Sequence, residues 1–391
     1  MRIRYLDMRM KICLINSLYP PFSRGGAEAV AEMMAQGLAQ AGQEVFVITL
    51  GRVAAVEDIE GVKIYRIKPG NLFSFIDIGQ QPKLSRFFWH LIDVFNFSGA
   101  AQIKKILSQE KPDLVISHNL KGIGYLVPKA IKNLKIRHFC VLHDVQLVKP
   151  SGLIYKGEEK IRWLEKVYAR ICRWLFDSPE VIISPSQWLL DFYSKYGFFR
   201  DSEKAVVRNP IGIRNQGSGI RDGKGLNLLY LGQIEKHKGI LWLAEILKNS
   251  TLDFKLTIAG EGAELEEVKK ITFGDGRFEV VGKVEKDKLA VVFAKTNFLF
   301  LPSLCDENSP VVIPLSFSFG VPVIIADIGG AGELVAENKT GFKFQAGDEK
   351  SFFEALEKAK QSDWQKLSEA VKEVAGDLRV EKYVERILGL V

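Results

Sequence analysis

The chain has 391 residues, 47 % hydrophobic and 26 % charged, which is enough apolar surface for two cores of ordinary domain size. Its longest apolar stretches are strand-sized, far short of the roughly 20 residues a membrane-spanning helix requires, and the apolar run in "MRIRYLDMRMKICLINSLYP" is too brief for a secretory signal, so a cytoplasmic protein is expected. The formal charge of +7 is uneven: residues 1–210 carry 30 Lys and Arg against 20 Asp and Glu, which points to an anionic partner for that half, whether a phosphorylated small molecule, an acidic lipid headgroup or nucleic acid.

In chain order, "KICLINSLY" reads as a strand and is followed by Ala29, Val30, Met33, Met34, Leu38 and Ala41 at helical spacing, then by "EVFVITL". This is a βαβ unit. The strand-like runs continue with "VKIYRIK", "DLVISHN", "RHFCVLH" and "EVIISPS". Near-continuous apolar strands that alternate with helices imply a parallel sheet covered on both faces. The pattern breaks at "NPIGIRNQGSGIRDGKG", rich in Gly, Asn, Asp and Ser, and restarts with "LNLLYLG", "FKLTIAG", "FEVVGKV", "NFLFLPS" and "VPVIIA". The expected organisation is an N-terminal domain over residues 1–208, a linker over 209–225, a second domain over 226–375, and a helix over 376–391 placed to return to the first domain. The fold class is α/β, with two Rossmann-like doubly wound parallel-sheet domains facing a cleft and ligands bound outside the carboxyl ends of the strands.

Four strand-end loops carry polar groups. Gly25 and Gly26 follow the first strand and open a helix, where bare backbone either approaches an anion or makes a tight turn. Gly232, Gln233, Lys236, His237, Lys238 and Gly239 repeat that arrangement in the second domain, and a Lys there either holds a diphosphate or is simply solvated. His143 and Asp144 end an apolar strand, which suits hydrogen bonding to sugar hydroxyls, polarisation of a reacting group, or a capped core histidine. Glu307, Asn308 and Ser309 stand between two apolar runs in "LCDENSPVVIPLSFSFGVPVII", either as a turn or as a binding loop. Asp306 and Glu307 point to opposite sides in extended chain and are not a facing carboxylate pair.

Other chemistries fit poorly. "GEGAEL" has Leu265 where a dinucleotide fingerprint needs a third Gly. Cysteines 13, 140, 172 and 305 form no CxxC pair, and no His/Cys cluster has ligand spacing, so neither a metal site nor a cofactor is expected. Nucleic acid is not expected as a partner, because no recognition module accompanies the basic charge. Two segments, "EEKIRWLEKVYARICRWLFD" at 158–177 and "KLSRFFWHLIDVFNF" at 83–97, interleave basic and large apolar residues. Each either rests on an anionic membrane or covers its own sheet.

In order, "PPFSRGGAE", "LHD", "ISPSQWLLDFYSKYGF", "VVRNPI", "LGQIEKHKGI", "IAGEG" and "LPSLCDENSP…GVPVIIADIGGAGELV…TGFKF" resemble the family 4 retaining glycosyltransferases of the GT-B fold, over nearly the whole chain. The resemblance implies a nucleotide-diphosphate sugar donor on the second domain and a glycan, lipid-linked or small-molecule acceptor on the first. It gives Glu307, with Asn308 and Ser309, contacts to the donor sugar, and the backbone of Pro310 and Val311 contacts to sugar and phosphate. Lys238 would neutralise the diphosphate beside Gly232 and Gln233, Gly25 and Gly26 would close over it, and backbone around Lys283 and Val284 would hold the base. His143 would face the sugar, so that His143, Glu307 and Lys238 form the catalytic set. Such a transfer mostly needs stabilisation of departing phosphate charge.

Two positions depart from the family pattern. Leu315 stands where members carry a second Glu that holds the ribose, with Pro314 removing a backbone donor beside it, and Gln233 stands where they carry Arg. Charge-assisted hydrogen bonds contribute about 1.5–3 kcal/mol against about 1 for neutral ones. The departures leave three readings: an active transferase with ribose contacts relocated to Ser316, a transferase with an unusual donor, or a non-catalytic relative that binds a glycan or partner.

Overall fold

The computed structural model describes residues 9–23, 25–158, 160–212 and 226–391. They form two compact units: the chain up to Gly152 with Ile161–Pro210 and Val380–Val391, and Leu153–Lys160 with Ile211–Arg379.

The first unit holds β1 (Lys11–Ile15), β2 (Glu44–Leu50), β3 (Ala55–Ile59), β4 (Val62–Ile67), β5 (Leu114–Ser117), β6 (Arg137–Val141), β7 (Val181–Ser184) and β8 (Glu203–Val206). Their order in the sheet is β3-β4-β2-β1-β5-β6-β7-β8. Its helices are α1 (Gly26–Gln40), α2 (Lys83–Val94), α3 (Phe97–Glu110), α4 (Val127–Asn133), α5 (Trp163–Phe176) and α6 (Gln187–Lys195), with α13 (Val380–Leu388) arriving from the far end of the chain. α13 seats on α1 where Gly37 leaves room, since a Cβ there would lie 2.5 Å from Val380 Cγ1. Tyr383, Val384, Ile387 and Leu388 thereby join Met34 and Leu38 in one core cluster.

One edge strand departs from the parallel arrangement. β3 pairs antiparallel with β4 through a tight turn at Glu60 and Gly61, both at positive φ. β3 is largely solvent-exposed, with Val56 60 % accessible, so it lacks the apolar run that marks its neighbours.

The second unit is a wholly parallel six-stranded sheet in the order β11-β10-β9-β12-β13-β14. The strands are β9 (Asn227–Leu231), β10 (Lys255–Ala259), β11 (Phe278–Gly282), β12 (Phe298–Leu301), β13 (Val323–Ala326) and β14 (Gly341–Phe344). α7 (Ile240–Lys248), α8 (Leu265–Thr272), α9 (Leu289–Ala294), α10 (Val312–Ser318), α11 (Glu349–Gln361) and α12 (Trp364–Asp377) complete it. Alternation within the strands is strict: Leu228, Tyr230, Phe298, Phe300 and Ile324 face one core cluster, while Leu229, Leu299, Leu301, Val323 and Ile325 face the other. Because both faces are buried, each central strand reads as an unbroken apolar run.

Two boundaries move. Residues 153–160, read from sequence as part of the N-terminal domain, belong to the second unit. Tyr155 bridges Cys305 in antiparallel fashion, the Lys156 N–H donates to Leu304 O at 3.1 Å, and the Asp306 N–H donates to Ile154 O at 2.8 Å. At the other end α12 runs through position 375, and the Ile211 N–H donates to Leu378 O at 2.8 Å, so the second unit extends to Arg379.

Asp93, at the end of α2, is 2 % exposed and accepts the Gly122 N–H with both carboxylate oxygens, at 3.0 and 2.9 Å. Burial pushes its pKa up to about 7, against the pull of the Gly122 hydrogen bond and the Lys121 charge. The folded state therefore holds this proton more tightly than the unfolded chain. The stability that Asp93 contributes is complete below its unfolded value of 3.8 and is lost as pH rises toward about 7. Asp93→Asn should gain on the wild type across that window, by a total of about 1–4 kcal/mol in urea-unfolding free energy. Parallel pH profiles for the two proteins would contradict this assignment.

Candidate functional site

In the second unit, β9 and β12 are adjacent strands, and the loops that leave their carboxyl ends are tied together. The Leu304 N–H donates to His237 O at 2.9 Å. Gly239 adopts φ +72, and a Cβ on it would meet Pro302 O at 1.9 Å, so only glycine allows this approach. The consequence is that Lys238 and Glu307, 69 positions apart, form an ion pair of 2.6 Å.

Glu307 Oε1 accepts both Lys238 Nζ and the Ser303 hydroxyl, the latter at 2.8 Å. Its backbone is fixed from the β13 side, where Gly330 and Ala331 donate their N–H groups to Glu307 O at 2.6 and 3.1 Å. Gly329, at φ +63, has no room for a Cβ, which would stand 2.4 Å from the same carbonyl. Burial lowers the Lys238 pKa, but the charge of Glu307 and the hydrogen bond to it outweigh that and raise it overall, so the ammonium is retained. Burial, reinforced by Glu307, pushes the neighbouring Cys305 thiol up to about 12, which removes it as a nucleophile at neutral pH.

The other sequence-predicted residues of this unit lie around the same strand ends. Gly232 and Gln233 are exposed just past β9, and the Tyr230 hydroxyl donates to Gln233 O at 2.5 Å. Lys283 and Val284 follow β11, with Lys283 Nζ 3.3 Å from Glu285 and largely in solvent. Asn308 is buried and Ser309 half-buried. The glycines of "GEGAEL" serve packing, because a Cβ on Gly260 would fall 1.8 Å from Gly232 O.

Two expectations change here. Pro310 has no N–H, and its carbonyl accepts Ile313 N–H at 3.1 Å, so of the two backbone positions only Val311 carries a donor. Ser316 is fully buried and donates to Val321 O at 2.8 Å, so its hydroxyl is not available to a ribose. Leu315 packs partly buried against the core below α10.

In the first unit the loops after β1, β5 and β6, three adjacent strands, lie side by side. His143 Nε2 shares a hydrogen bond of 2.9 Å with Nδ1 of His118, their rings 20° from parallel. Burial lowers the His143 pKa to about 4, and burial with the nearby His143 holds His118 well below its usual value, so both imidazoles are neutral. Asp144 is raised by burial to about 6, and it accepts the Gln146 N–H at 2.8 Å. Gln146 in turn donates to the Asn119 side chain at 2.8 Å. At the start of α1 the Gly25 N–H is capped by Glu28 at 2.9 Å. Gly25 is extended, and an added Cβ would meet nothing nearer than Glu28 Oε2 at 3.9 Å, so the fold itself makes no demand for glycine there. Gly26 is the first residue of that helix.

The sequence reading misses His118, Asn119 and Ser303. The signal for the first two was present: "SHN" follows a buried strand as "LHD" does. Among the described residues, no group of three His, Cys, Asp or Glu is placed to hold a metal ion, and no helix is long and apolar enough to cross a membrane.

Two doubly wound units, each with polar loops at its strand ends, define a protein of the GT-B class. Sucrose-phosphate synthase of Thermosynechococcus elongatus matches with a TM-score of 0.76 at 17 % identity, covering 97 % of this chain and 98 % of that one. The Anabaena protein HepE, solved with UDP-glucose, matches at 0.69 and 15 % identity, covering 97 % and 99 %. In sequence, the Glycosyltransferase Family 4 model matches residues 24–213 and the Glycosyl transferases group 1 model matches residues 225–362. An uncharacterized 42.6 kDa protein in the cps region of Klebsiella pneumoniae is 27 % identical over 334 residues, covering 83 % of this chain and 87 % of that one. The chain belongs to the group 1 and family 4 glycosyltransferases, and it is a transferase enzyme.

Proposed function

We propose that this glycosyltransferase moves a sugar, with retention, from a nucleotide-diphosphate donor held by the second unit to a glycan or lipid-linked acceptor, in the cytoplasm or at the inner membrane face. The observation that carries the reading is the Lys238–Glu307 pair at the joined ends of β9 and β12. A diphosphate brings more negative charge to Lys238 than one carboxylate does. Displacing Glu307 from the ammonium leaves its oxygens to accept sugar hydroxyls, so donor binding exchanges one charge-assisted contact for several. As the glycosidic bond breaks, charge gathers on the departing diphosphate, and a fixed cation there lowers the barrier without a dedicated metal. His143, in the first unit, is a neutral hydrogen-bonding group, in keeping with its lowered pKa.

The UDP-glucose bound to HepE supports a nucleotide-sugar donor. Leu315 and the inward Ser316 leave the ribose side of α10 short of acceptors, which favours a reshaped subsite or an unusual donor. Calorimetric titration with UDP, GDP, ADP and CMP, then with the matching sugar nucleotides, separates these. Affinity for one base that increases with one attached sugar names the donor; silence at millimolar ligand rules these donors out and leaves an unusual one.

Gly25 offers an independent check. Because the surrounding structure leaves space at its Cβ, Gly25→Ala should change unfolding free energy by less than about 0.5 kcal/mol while raising KM for the donor. A loss of stability with unchanged KM would make the glycine a folding requirement.

A further inference from the structure

We propose that the outward face of α2, with the exposed basic and aromatic residues of α5, docks the first unit on an anionic lipid surface. Leu84, Phe87, Phe88, Leu91, Ile92 and Phe95 recur at the spacing of a single helix face. All six are exposed, from 41 % for Ile92 and Phe95 to 71 % for Leu84. The opposite face is the buried one, with Trp89 at 0 % and Asp93 at 2 %. An amphipathic helix covering its own sheet would be turned the other way.

The roll of α2 is fixed by specific contacts. The Trp89 indole N–H donates to Phe73 O at 2.7 Å, and the ring stacks on Phe73 and Phe75 at 6.1 and 5.7 Å. Asp93 holds the Gly122 N–H, and Gly124 lies so close that a Cβ would be 2.6 Å from Asn96 Cβ. Turning the stripe inward would bring Trp89 and Asp93 out. Nothing among the described residues covers it.

The charge carried by α5 identifies the occupant. α5 packs on the same loop, where Tyr125 meets Phe176 edge-on at 5.3 Å. It exposes Trp163 at 73 %, Leu164 at 70 % and Trp174 at 63 %, interleaved with exposed Arg162, Lys166 and Arg170. Its acid, Glu165, is turned to cap the Arg162 N–H at 2.7 Å. A second copy docked about a twofold axis would bring the same basic patch to both sides, with neither Asp93 nor Glu165 exposed to meet it. An acidic leaflet satisfies both features at once, because the aromatic and aliphatic groups enter the headgroup boundary while Lys and Arg meet the headgroup charge.

This deepens the reading of an acceptor reached at a membrane face, but it is tested without donor or acceptor, so either can fail alone. The full chain is sedimented with vesicles of phosphatidylcholine alone and with about one third phosphatidylglycerol, at low and high salt. Wild type should pellet with the anionic vesicles at least about fivefold more than with the neutral ones, and less at high salt. Phe87→Ser with Phe88→Ser, and separately Lys166→Glu with Arg170→Glu, should each lower that fraction at least about fivefold with unchanged melting curves. Wild type remaining in the supernatant, or either variant pelleting like wild type, overturns the proposal. A concentration-dependent dimer that Phe87→Ser with Phe88→Ser dissolves, without vesicle binding, would assign the face to a second copy.

Discussion

Lys238→Ala is expected to weaken the productive nucleotide diphosphate by about ten- to a hundredfold and turnover by more. A charge-assisted hydrogen bond to a buried anion contributes about 1.5–3 kcal/mol, and each 1.4 kcal/mol is tenfold. The loss should exceed that of one contact, because among the described residues Glu307 would keep only Ser303 as a side-chain partner and would repel the incoming phosphates. Glu307→Ala should behave differently. It releases Lys238 from its 2.6 Å pair, so the bare nucleotide should bind as well as before or better, while preference for an attached sugar disappears. The double variant should fall short of the sum, since the two side chains share one interaction. Unchanged nucleotide affinity in Lys238→Ala would place the diphosphate elsewhere.

Gly329→Ala is expected to damage both the fold and the chemistry. The residue sits at φ +63, and a methyl group would stand 2.4 Å from Glu307 O and 2.7 Å from Glu307 N, so the two loops would have to separate. The dihedral alone costs about 1–3 kcal/mol. Separation would also release the Gly330 and Ala331 hydrogen bonds to Glu307 and shift the carboxylate by an amount that costs about a hundredfold in rate at a positioned site. Urea unfolding together with turnover measures the two parts. Native stability and native turnover in this variant would show that the loop does not hold Glu307. The contrast with Gly25→Ala is the useful one, because both glycines lie outside regular strand and helix but only one is required by packing.

The sheet strands were legible because burial on both faces makes β9, β12 and β13 continuous apolar words. β3 was not, since a solvent-exposed edge strand such as "AVEDI" has no such word and is held by its hairpin. In the site, Glu307 and Lys238 stood out as polar residues at strand ends. Their mutual contact did not, nor did Ser303 or the His118 partner of His143, because each depends on which strands are neighbours and not on spacing along the chain. Ser316 shows the reverse error: a hydroxyl one position from the missing Glu looks well placed in sequence, yet the helix turns it into the core, where it holds Val321 O.

For α2 the sequence left open which way its apolar stripe faces, and the tertiary structure decides that it faces solvent. Periodicity establishes that an apolar stripe exists, but not whether it faces the sheet or solvent. The Trp89 and Asp93 contacts decide that by fixing the roll of the helix. By itself, the sequence determined two α/β units and the strand-end loops that carry the polar groups, because local periodicity and turn chemistry are properties of neighbouring residues. Tertiary structure alone decided that Lys238 meets Glu307, that residues 153–160 join the second unit and that the α2 stripe points outward, because these are contacts between segments whose separation along the chain carries no information about their distance in space.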